Sequence, residues 1–342
     1  MQERSPSRGY SLIFILAFIG MLLLPLRTLA LDPAGIEENF YGRTYLIKAI
    51  ANLRIWLGDR VFPKVLVGDA GWLVYTAEND IEGYQHADPF ADSELSRIQH
   101  SLDELSVRYE EHGTVLLVVV PPNKNTIYPE RVPPQIPILG EASSLDQLVA
   151  YLHEHGKTQI LDLRPTLRAA RAQQEIYYAT DTHWNDYGAF AAYEEILTAL
   201  RDQFPALTPR PVSDFRVVRR APEILDLADN IGTTLLPESK IQFVPLFDTH
   251  TTYKTLTIGG RRIQFSHNPD EGLPTAIVYH DSFFFRVIPL LGEHFSNAMF
   301  IQNYVGGGLW SLSWVDEQKP SIVIIEFSER QIHDLPLLID PE

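Results

Sequence analysis

The chain has no cysteine among its 342 residues. That absence excludes disulfide stapling, cysteine-ligated zinc or iron–sulfur centres and a thiol nucleophile in one step. Positive charge is scarce too: 28 Lys and Arg stand against 44 Asp and Glu, a formal net charge of -16. A nucleic-acid binder carries the opposite balance, so that class is set aside. No Gly-x-Ser-x-Gly elbow occurs, which argues against an ordinary α/β-hydrolase. Gly306-Gly307-Gly308 lacks the Gly-Lys-Ser/Thr ending of a phosphate loop. His153-x-His155 has no evident carboxylate partners and reads as solvated histidines, so neither a metal nor a cofactor is expected.

Long apolar runs are confined to the amino terminus. Arg4 and Arg8 precede an uncharged run from Tyr10 to Leu26, and Asp32, Glu37 and Glu38 follow it. Positive charge stays on the cytoplasmic side, so the body of the protein is expected outside. The run is slightly shorter than the roughly 20 residues a span needs, and Thr28-Leu29-Ala30 resembles a signal-peptidase site. Residues 1–31 therefore read as a signal anchor or a signal peptide, 32–60 as a juxtamembrane helical linker and 61–342 as one folded domain. With 45% hydrophobic and 21% charged residues, the body has a globular composition.

Periodicity gives the element order. Tyr45, Leu46, Ala49, Ile50, Leu53 and Ile55 to Leu57 recur at helical spacing between Gly42 and Leu57. Lys64 to Tyr75 reads as a hairpin around Gly68-Asp69. Helices are expected from Ser93 to about His112, and over Ser144–His155, Asp186–Leu200, Phe283–His294 and Leu309–Asp316. Strands are expected at Val115–Val120, Gln159–Leu163, Thr275–Tyr279, Ala298–Ile301 and Ser321–Phe327. This alternation, with strands apolar throughout, predicts an α/β fold with a parallel sheet flanked by helices. The texture between about 205 and 270 changes to short β-leaning pieces, read as an insertion.

Three segments carry candidate chemistry. In Thr275-Ala276-Ile277-Val278-Tyr279-His280-Asp281-Ser282-Phe283 an apolar strand ends and an Asp-Ser pair opens a helix. Open α/β sheets place ligands outside the carboxyl ends of their strands, and free N–H groups at a helix start stabilise an alkoxide or oxyanion. In Asp181-Thr182-His183-Trp184-Asn185-Asp186 a carboxylate and an imidazole lie two apart. A serine hydroxyl needs such a base, itself oriented by a carboxylate, and in an extended loop both side chains point the same way. The third segment, Glu326-Phe327-Ser328-Glu329-Arg330, ends a buried strand in charges, for which solvation at the sheet edge is the plain reading. His280 is a rival base, but it lacks a carboxylate partner of its own, so Ser282, His183 and Asp181 are the expected catalytic set.

Together these segments resemble the periplasmic alginate O-acetyltransferases, a circularly permuted branch of the SGNH hydrolases. In that family an Asp-x-His-Trp motif precedes the serine block, as Asp181-Thr182-His183-Trp184 precedes Asp281-Ser282-Phe283 here. Val67-Gly68-Asp69-Ala70-Gly71-Trp72-Leu73 and Pro121-Pro122-Asn123-Lys124-Asn125 resemble its opening hairpin and first-strand loop. Many SGNH enzymes carry Gly where this chain has His280, which bears on the oxyanion geometry. The resemblance implies a flavodoxin-like sheet, a Ser282 acyl-enzyme, a polysaccharide acceptor and a membrane-bound O-acyltransferase as acetyl donor. It also implies a place at the periplasmic face of a bacterial inner membrane, held there by the amino-terminal segment. The amide of Ser282 is the first expected oxyanion donor. Further candidates for oxyanion or substrate contacts are Asn185, Trp184, Lys124, Arg286 and Arg330. An esterase using the same triad, or a non-catalytic polysaccharide-binding scaffold, is the alternative expectation. A polyanionic acceptor would require a local basic groove on so acidic a chain.

Overall fold

The computed structural model describes residues 42–258, 261–302 and 312–335, with scattered residues between 12 and 23. The expected membrane segment, Tyr10 to Leu26, lies largely outside these residues. Among the described residues no helix is long and apolar enough to cross a membrane. The chain divides into two units, Met1–Asp59 with Ile231–Leu235, and Arg60–Asn230 with Leu236–Glu342.

In the first unit, helix α1 (Arg43–Trp56) occupies the expected amphipathic stretch. Its Asn52 amide donates to Thr234 Oγ1 at 2.9 Å and accepts from Thr233 Oγ1 at 2.8 Å.

The second unit opens with a small antiparallel meander, β1 (Val61–Phe62), β2 (Val65–Val67) and β3 (Leu73–Tyr75). Its main body is a sheet built from β4 (Val115–Val120), β5 (Ile160–Asp162), β8 (Thr252–Ile258), β9 (Arg261–His267), β10 (Thr275–His280), β11 (Asn297–Gln302) and β12 (Ile322–Glu326). The spatial order is β5-β4-β12-β10-β11-β9-β8. The pairs from β5 to β11 are parallel, and β9 and β8 add an antiparallel edge. Counted from β10 and wrapped through the termini, the parallel strands stand as β11-β10-β12-β4-β5. That is the flavodoxin-like 2-1-3-4-5 order with its start moved, which is what a circular permutation produces. The reversal of order falls between β10 and β12.

Alternation along each strand feeds two cores. Ala276, Val278, Ile322, Ile324 and Val119 face one side, where they meet Phe190, Tyr193, Ile196 and Leu197 of helix α4 (Asp186–Leu200). Ile277, Tyr279, Val323, Ile325, Val118 and Val120 face the other, against helices α2 (Asp92–Glu110) and α3 (Ser144–His155). Both faces are covered, so the strands are apolar throughout rather than alternating. Ser143 caps α3 in a box with Asp146, each side chain accepting the other's amide, at 3.1 and 2.9 Å.

Two expectations change. The β-leaning stretch divides: β6 (Phe215–Glu223) and β7 (Glu238–Pro245) form a separate ribbon, whereas β8 and β9 continue the central sheet. The latter half thus forms the antiparallel edge of the main sheet. The helix expected over Phe283–His294 is broken into a 3-10 turn, Ser282–Arg286, a short helix, Ile288–Leu291, and a second turn, Gly292–His294. Pro289 has no N–H to donate and its ring crowds the carbonyl of Phe285, so a continuous helix cannot pass. Of the helix expected over Leu309–Asp316, the described part is Leu312–Gln318, and residues 309–311 lie outside the described set.

Gly188 in the first turn of α4 is required by contact. A Cβ there would lie 2.5 Å from the Ile176 carbonyl oxygen and 2.7 Å from the Trp184 Cβ. Gly188→Ala is expected to destabilise the fold by roughly 2 kcal/mol or more, read as a lower denaturant midpoint at unchanged slope.

Candidate active site

The loop from Tyr177 to Trp184 is closed on itself by an antiparallel bridge between its end residues. Inside it, Asp181 Oδ1 accepts the His183 backbone N–H at 3.0 Å, an Asx turn. The two side chains converge through this turn, not through the extended backbone the i, i+2 spacing suggested. Asp181 Oδ1 also lies 2.7 Å from His183 Nδ1. His183 Nε2 lies 2.8 Å from Ser282 Oγ, across 99 residues of chain. A carboxylate, an imidazole and a hydroxyl thus form one line of hydrogen bonds. The Asp181 carboxylate is buried, whereas the His183 side chain is 21% exposed and Ser282 half-buried. Solvent therefore reaches the end of the line at which a substrate would arrive.

Ser282 begins its 3-10 turn directly after β10, beside the end of β12, at the point where the strand order reverses. Open sheets place ligands at that crevice because the connections on its two sides diverge. Every polar group of the preceding residue is tied. Asp281 N–H donates to Glu326 Oε2 at 2.8 Å, Oδ1 accepts from Phe283 N at 2.7 Å and Oδ2 from Ser328 N at 3.1 Å. Its carbonyl oxygen lies 2.7 Å from His280 Nδ1. A carbonyl can only accept, so that nitrogen carries the proton. His280 is buried and held in this bond, and burial lowers its pKa. It is a neutral donor, not a rival base.

Electrostatics at the pair follow from burial and bonding. Burial pushes the Asp181 carboxyl up, but the bonds and charge supplied by His183 outweigh it and hold the group at about 2. Asp226, which the sequence reading passed over, approaches His183 Nδ1 to 3.7 Å and accepts from Thr182 N at 2.9 Å and Thr182 Oγ1 at 2.7 Å. Burial and the Asp181 charge raise its pKa. Ligand atoms of Asp181, His183 and Asp226 all fall within 4.8 Å of one another. Asp181 and His183 stand at hydrogen-bond distance and Asp226 at 3.7 Å, and a metal on Nδ1 would displace the proton that Asp181 accepts.

Four of the expected substrate contacts are buried and bonded to the surrounding scaffold. Trp184 is fully buried, and its indole N–H donates to the Phe283 carbonyl at 2.9 Å, clamping the histidine loop to the serine turn. Asn185 is buried as the cap of α4: its Oδ1 accepts from Tyr187 N at 2.9 Å and its Nδ2 donates to Glu175 O at 2.8 Å. The bond to Glu175 takes one of the two Nδ2 hydrogens. Lys124 is buried and donates to the carbonyls of Tyr178, Ala179 and Asp181 at 3.2, 3.1 and 2.7 Å. Burial brings its ammonium down to about 8, against the pull of Asp226, Asp181 and Glu238. Arg330 is buried over the Phe283 ring, 5.3 Å from its centroid, with its Nε donating to Glu78 at 3.2 Å. Arg286 is partly exposed and joins the serine turn to α4 through Asp186 at 2.7 Å.

The charged tail of β12 is likewise buried rather than solvated. Glu326 lies under Asp281, and burial with the Asp281 charge pushes its carboxyl well above the usual range. Glu329 Oε2 accepts Asn123 N and Thr126 Oγ1, both at 2.7 Å, fastening the loop after β4. The Glu238 carboxylate, also passed over, accepts the amides of Ala179 at 2.9 Å and Thr180 at 2.7 Å. Asp226 and Glu238 lie in the stretch read as an insertion, where no spacing signals them.

A cavity of about 690 Å³ opens at the amino-terminal ends of β10 and β11, lined by Tyr253, Phe265, Met299 and Trp314 among others. It holds no paired nucleophile and base, so the candidate site is the Ser282 rim.

The model of a family described as "SGNH hydrolase-like domain, acetyltransferase AlgX" matches residues 65–255. That stretch contains Asp181 and His183 and ends before Ser282. The chain is 27% identical over 220 residues to the "Probable alginate O-acetylase AlgJ" of Pseudomonas syringae pv. tomato, covering 58% of this chain and 54% of that protein. It spans about half the length of the curated relatives it matches. Among solved structures, Bacillus cereus PatB1 aligns with a TM-score of 0.58 at 15% identity, covering 79% of this chain and 96% of that one. The O-acetyltransferase domain of Pseudomonas putida AlgJ aligns with a TM-score of 0.51 at 18% identity, covering 81% and 94%. These two likenesses concern the fold alone.

Burial of Asp80 beneath the site generates a pH dependence. Asn125 Nδ2 donates to Asp80 Oδ1 at 2.6 Å, and desolvation raises the carboxyl from 3.8 to about 7. Between those values the native protein holds a proton the unfolded chain has released, so this group lowers stability as pH rises through the window. Asp80→Asn should therefore lose less stability than the parent between about pH 5 and about pH 8, by on the order of 1–3 kcal/mol in chemical denaturation.

Proposed function

The chain belongs to the AlgX family of SGNH hydrolase-like acetyltransferase domains, and from that premise we propose that it transfers acetyl groups to hydroxyls of an exported, alginate-type polysaccharide through an acetyl-Ser282 intermediate. The observation that carries the reading is the continuous line from Asp181 through His183 to Ser282, at 2.7 and 2.8 Å.

In this mechanism His183 Nε2 removes the Ser282 proton as Oγ attacks the acetyl carbonyl of a donor ester. The imidazolium returns that proton to the departing donor oxygen, leaving acetyl on Oγ. A sugar hydroxyl then loses its proton to His183 and attacks the acyl carbon, and Ser282 leaves and takes the proton back. Asp181 holds the tautomer with the proton on Nδ1 and stabilises the cation that forms twice per cycle. By the same reading, a membrane-bound O-acyltransferase supplies the acetyl group at the outer face of a bacterial inner membrane.

The negative oxygen that forms on the acyl carbon needs donors fixed in advance. The Ser282 amide is the first N–H of its 3-10 turn and so has no partner within that turn. Phe283 N is already given to Asp281. Carbonyl and N–H of one trans peptide point in opposite directions, so the His280 bond to the Asp281 carbonyl also aims the Ser282 amide. The imidazole at 280 takes over, by a hydrogen bond, the conformational control that a glycine leaves to the rest of the turn.

Ser282→Ala should abolish transfer, and Asp181→Asn should lower it by roughly 10³–10⁴. The assay incubates the full chain with an activated acetyl ester and oligouronates and follows acetyl-Ser282 by mass spectrometry. Free acetate with no acetylated sugar would make the protein an esterase; undiminished transfer by Ser282→Ala would sink both enzymatic readings. His280→Leu is expected to reduce kcat about tenfold to hundredfold with little change in KM. His280→Asn, whose Nδ2 sits where Nδ1 did, should recover most of it. Equal losses in the two variants would make His280 a packing residue only.

A further inference from the structure

Helix α1 exposes the face that a water-soluble helix buries. Tyr45 is 80% exposed, Trp56 77%, Leu57 68%, Ile50 54% and Leu53 53%. At 100° per residue these side chains, with Ala49, form one continuous apolar stripe. The packed residues lie outside that stripe. Asn52 bonds to Thr233 and Thr234, and a Cβ on Gly232 would lie 2.8 Å from Ile47 and 3.9 Å from Ala51. The helix is held by residues beside and behind the stripe, and the stripe itself is exposed.

Charge selects the partner. The chain carries -16 overall, yet from Gly42 to Gly58 there is no Asp or Glu, while Arg43, Lys48 and Arg54 are present. Arg43 and Arg54 flank one edge of the stripe, Lys48 lies beyond the other, and Arg54 reaches Asp59 at 2.7 Å. Tyr45 and Trp56 sit on the same face near the two ends of the helix, about 16 Å apart along its axis. Aromatic rings of this kind settle at the headgroup level of a bilayer. With 14 residues the helix is too short to span.

We propose that Arg43–Trp56 lies flat in the headgroup region of an anionic lipid surface, with Tyr45, Ala49, Ile50, Leu53, Trp56 and Leu57 inserted and the cations on the phosphates. Its apolar stripe, flanking cations and lack of acids are what interfacial helices share. The attachment is independent of the acyl-transfer reading and of whether residues 1–31 are retained.

Because the chain has no cysteine, one introduced thiol gives a unique label. The full chain carrying Leu53→Cys, tagged with an environment-sensitive fluorophore, is mixed with phosphatidylethanolamine vesicles containing about one third phosphatidylglycerol. The emission should shift to the blue, the label should be quenched by nitroxide placed on lipid headgroups, and aqueous iodide should no longer reach it. The same label at Thr44→Cys, on the opposite side, should stay accessible to iodide. Arg43→Gln with Lys48→Gln should weaken vesicle binding roughly tenfold or more. A Leu53 label open to iodide on the vesicles would overturn the proposal. So would one shielded before vesicles are added, since a segment of the chain itself would then cover the face. Equal binding to pure phosphatidylcholine vesicles would overturn the anionic assignment.

Discussion

The Asp281 carboxylate accepts amide protons from Phe283, in its own turn, and from Ser328, beyond the end of the neighbouring strand. That pair of bonds locks the end of β10 to the end of β12 at the crevice between them. A buried carboxylate is costly unless its acceptors are filled, and here the filling groups belong to two different segments. The serine turn therefore cannot move without exposing a charge that has no other partner. Glu326 lies under this carboxylate, where burial and the Asp281 charge raise its pKa.

The histidine loop is fastened in the same manner and by chemically similar means. Lys124 donates to three of its carbonyls, Glu238 accepts two of its amides and Asp226 accepts the Thr182 amide and hydroxyl. The Trp184 indole joins that loop to the serine turn, and the Phe283 ring lies against His183 at 5.0 Å. Acid–base chemistry depends on the Oγ to Nε2 separation to within a few tenths of an ångström. Buried ionic and polar groups with single satisfying geometries set such a distance better than apolar packing, which tolerates sliding.

Acidic side chains thus have two uses in this protein. On the surface they give the body its strong negative charge, and beneath the site they are structural acceptors with pKa values displaced in both directions. Helix α1 departs from both uses by excluding acids altogether. The charge that suits a polyanionic acceptor or an anionic surface is local, as at α1, and an average over the chain conceals it.

Much of the α/β layout was legible because a parallel strand covered on both faces must be apolar along its length, and helices between such strands must show a 3.6 period. The Asp181, His183 and Ser282 set was legible because that chemistry admits few residue types. The burial of Trp184, Asn185, Lys124 and Arg330 was not legible for a common reason: a polar or aromatic residue beside a reactive one has the same spelling whether it touches substrate or braces the loop. The run after Ser282 misled because helical periodicity in Phe283–His294 does not register the missing N–H of Pro289.

By itself, then, the sequence determined which strands are buried, which residue types are present for acyl chemistry and that cysteine and metal–thiolate chemistry are excluded, since each depends on composition or on spacing within one segment. Tertiary structure alone decided that β8 and β9 join the main sheet, that Asp226, Glu238 and Glu326 support the site, and that His280 is a donor to the Asp281 carbonyl. Those outcomes depend on pairing and burial between segments far apart in the chain, and no local pattern records where a distant partner will lie.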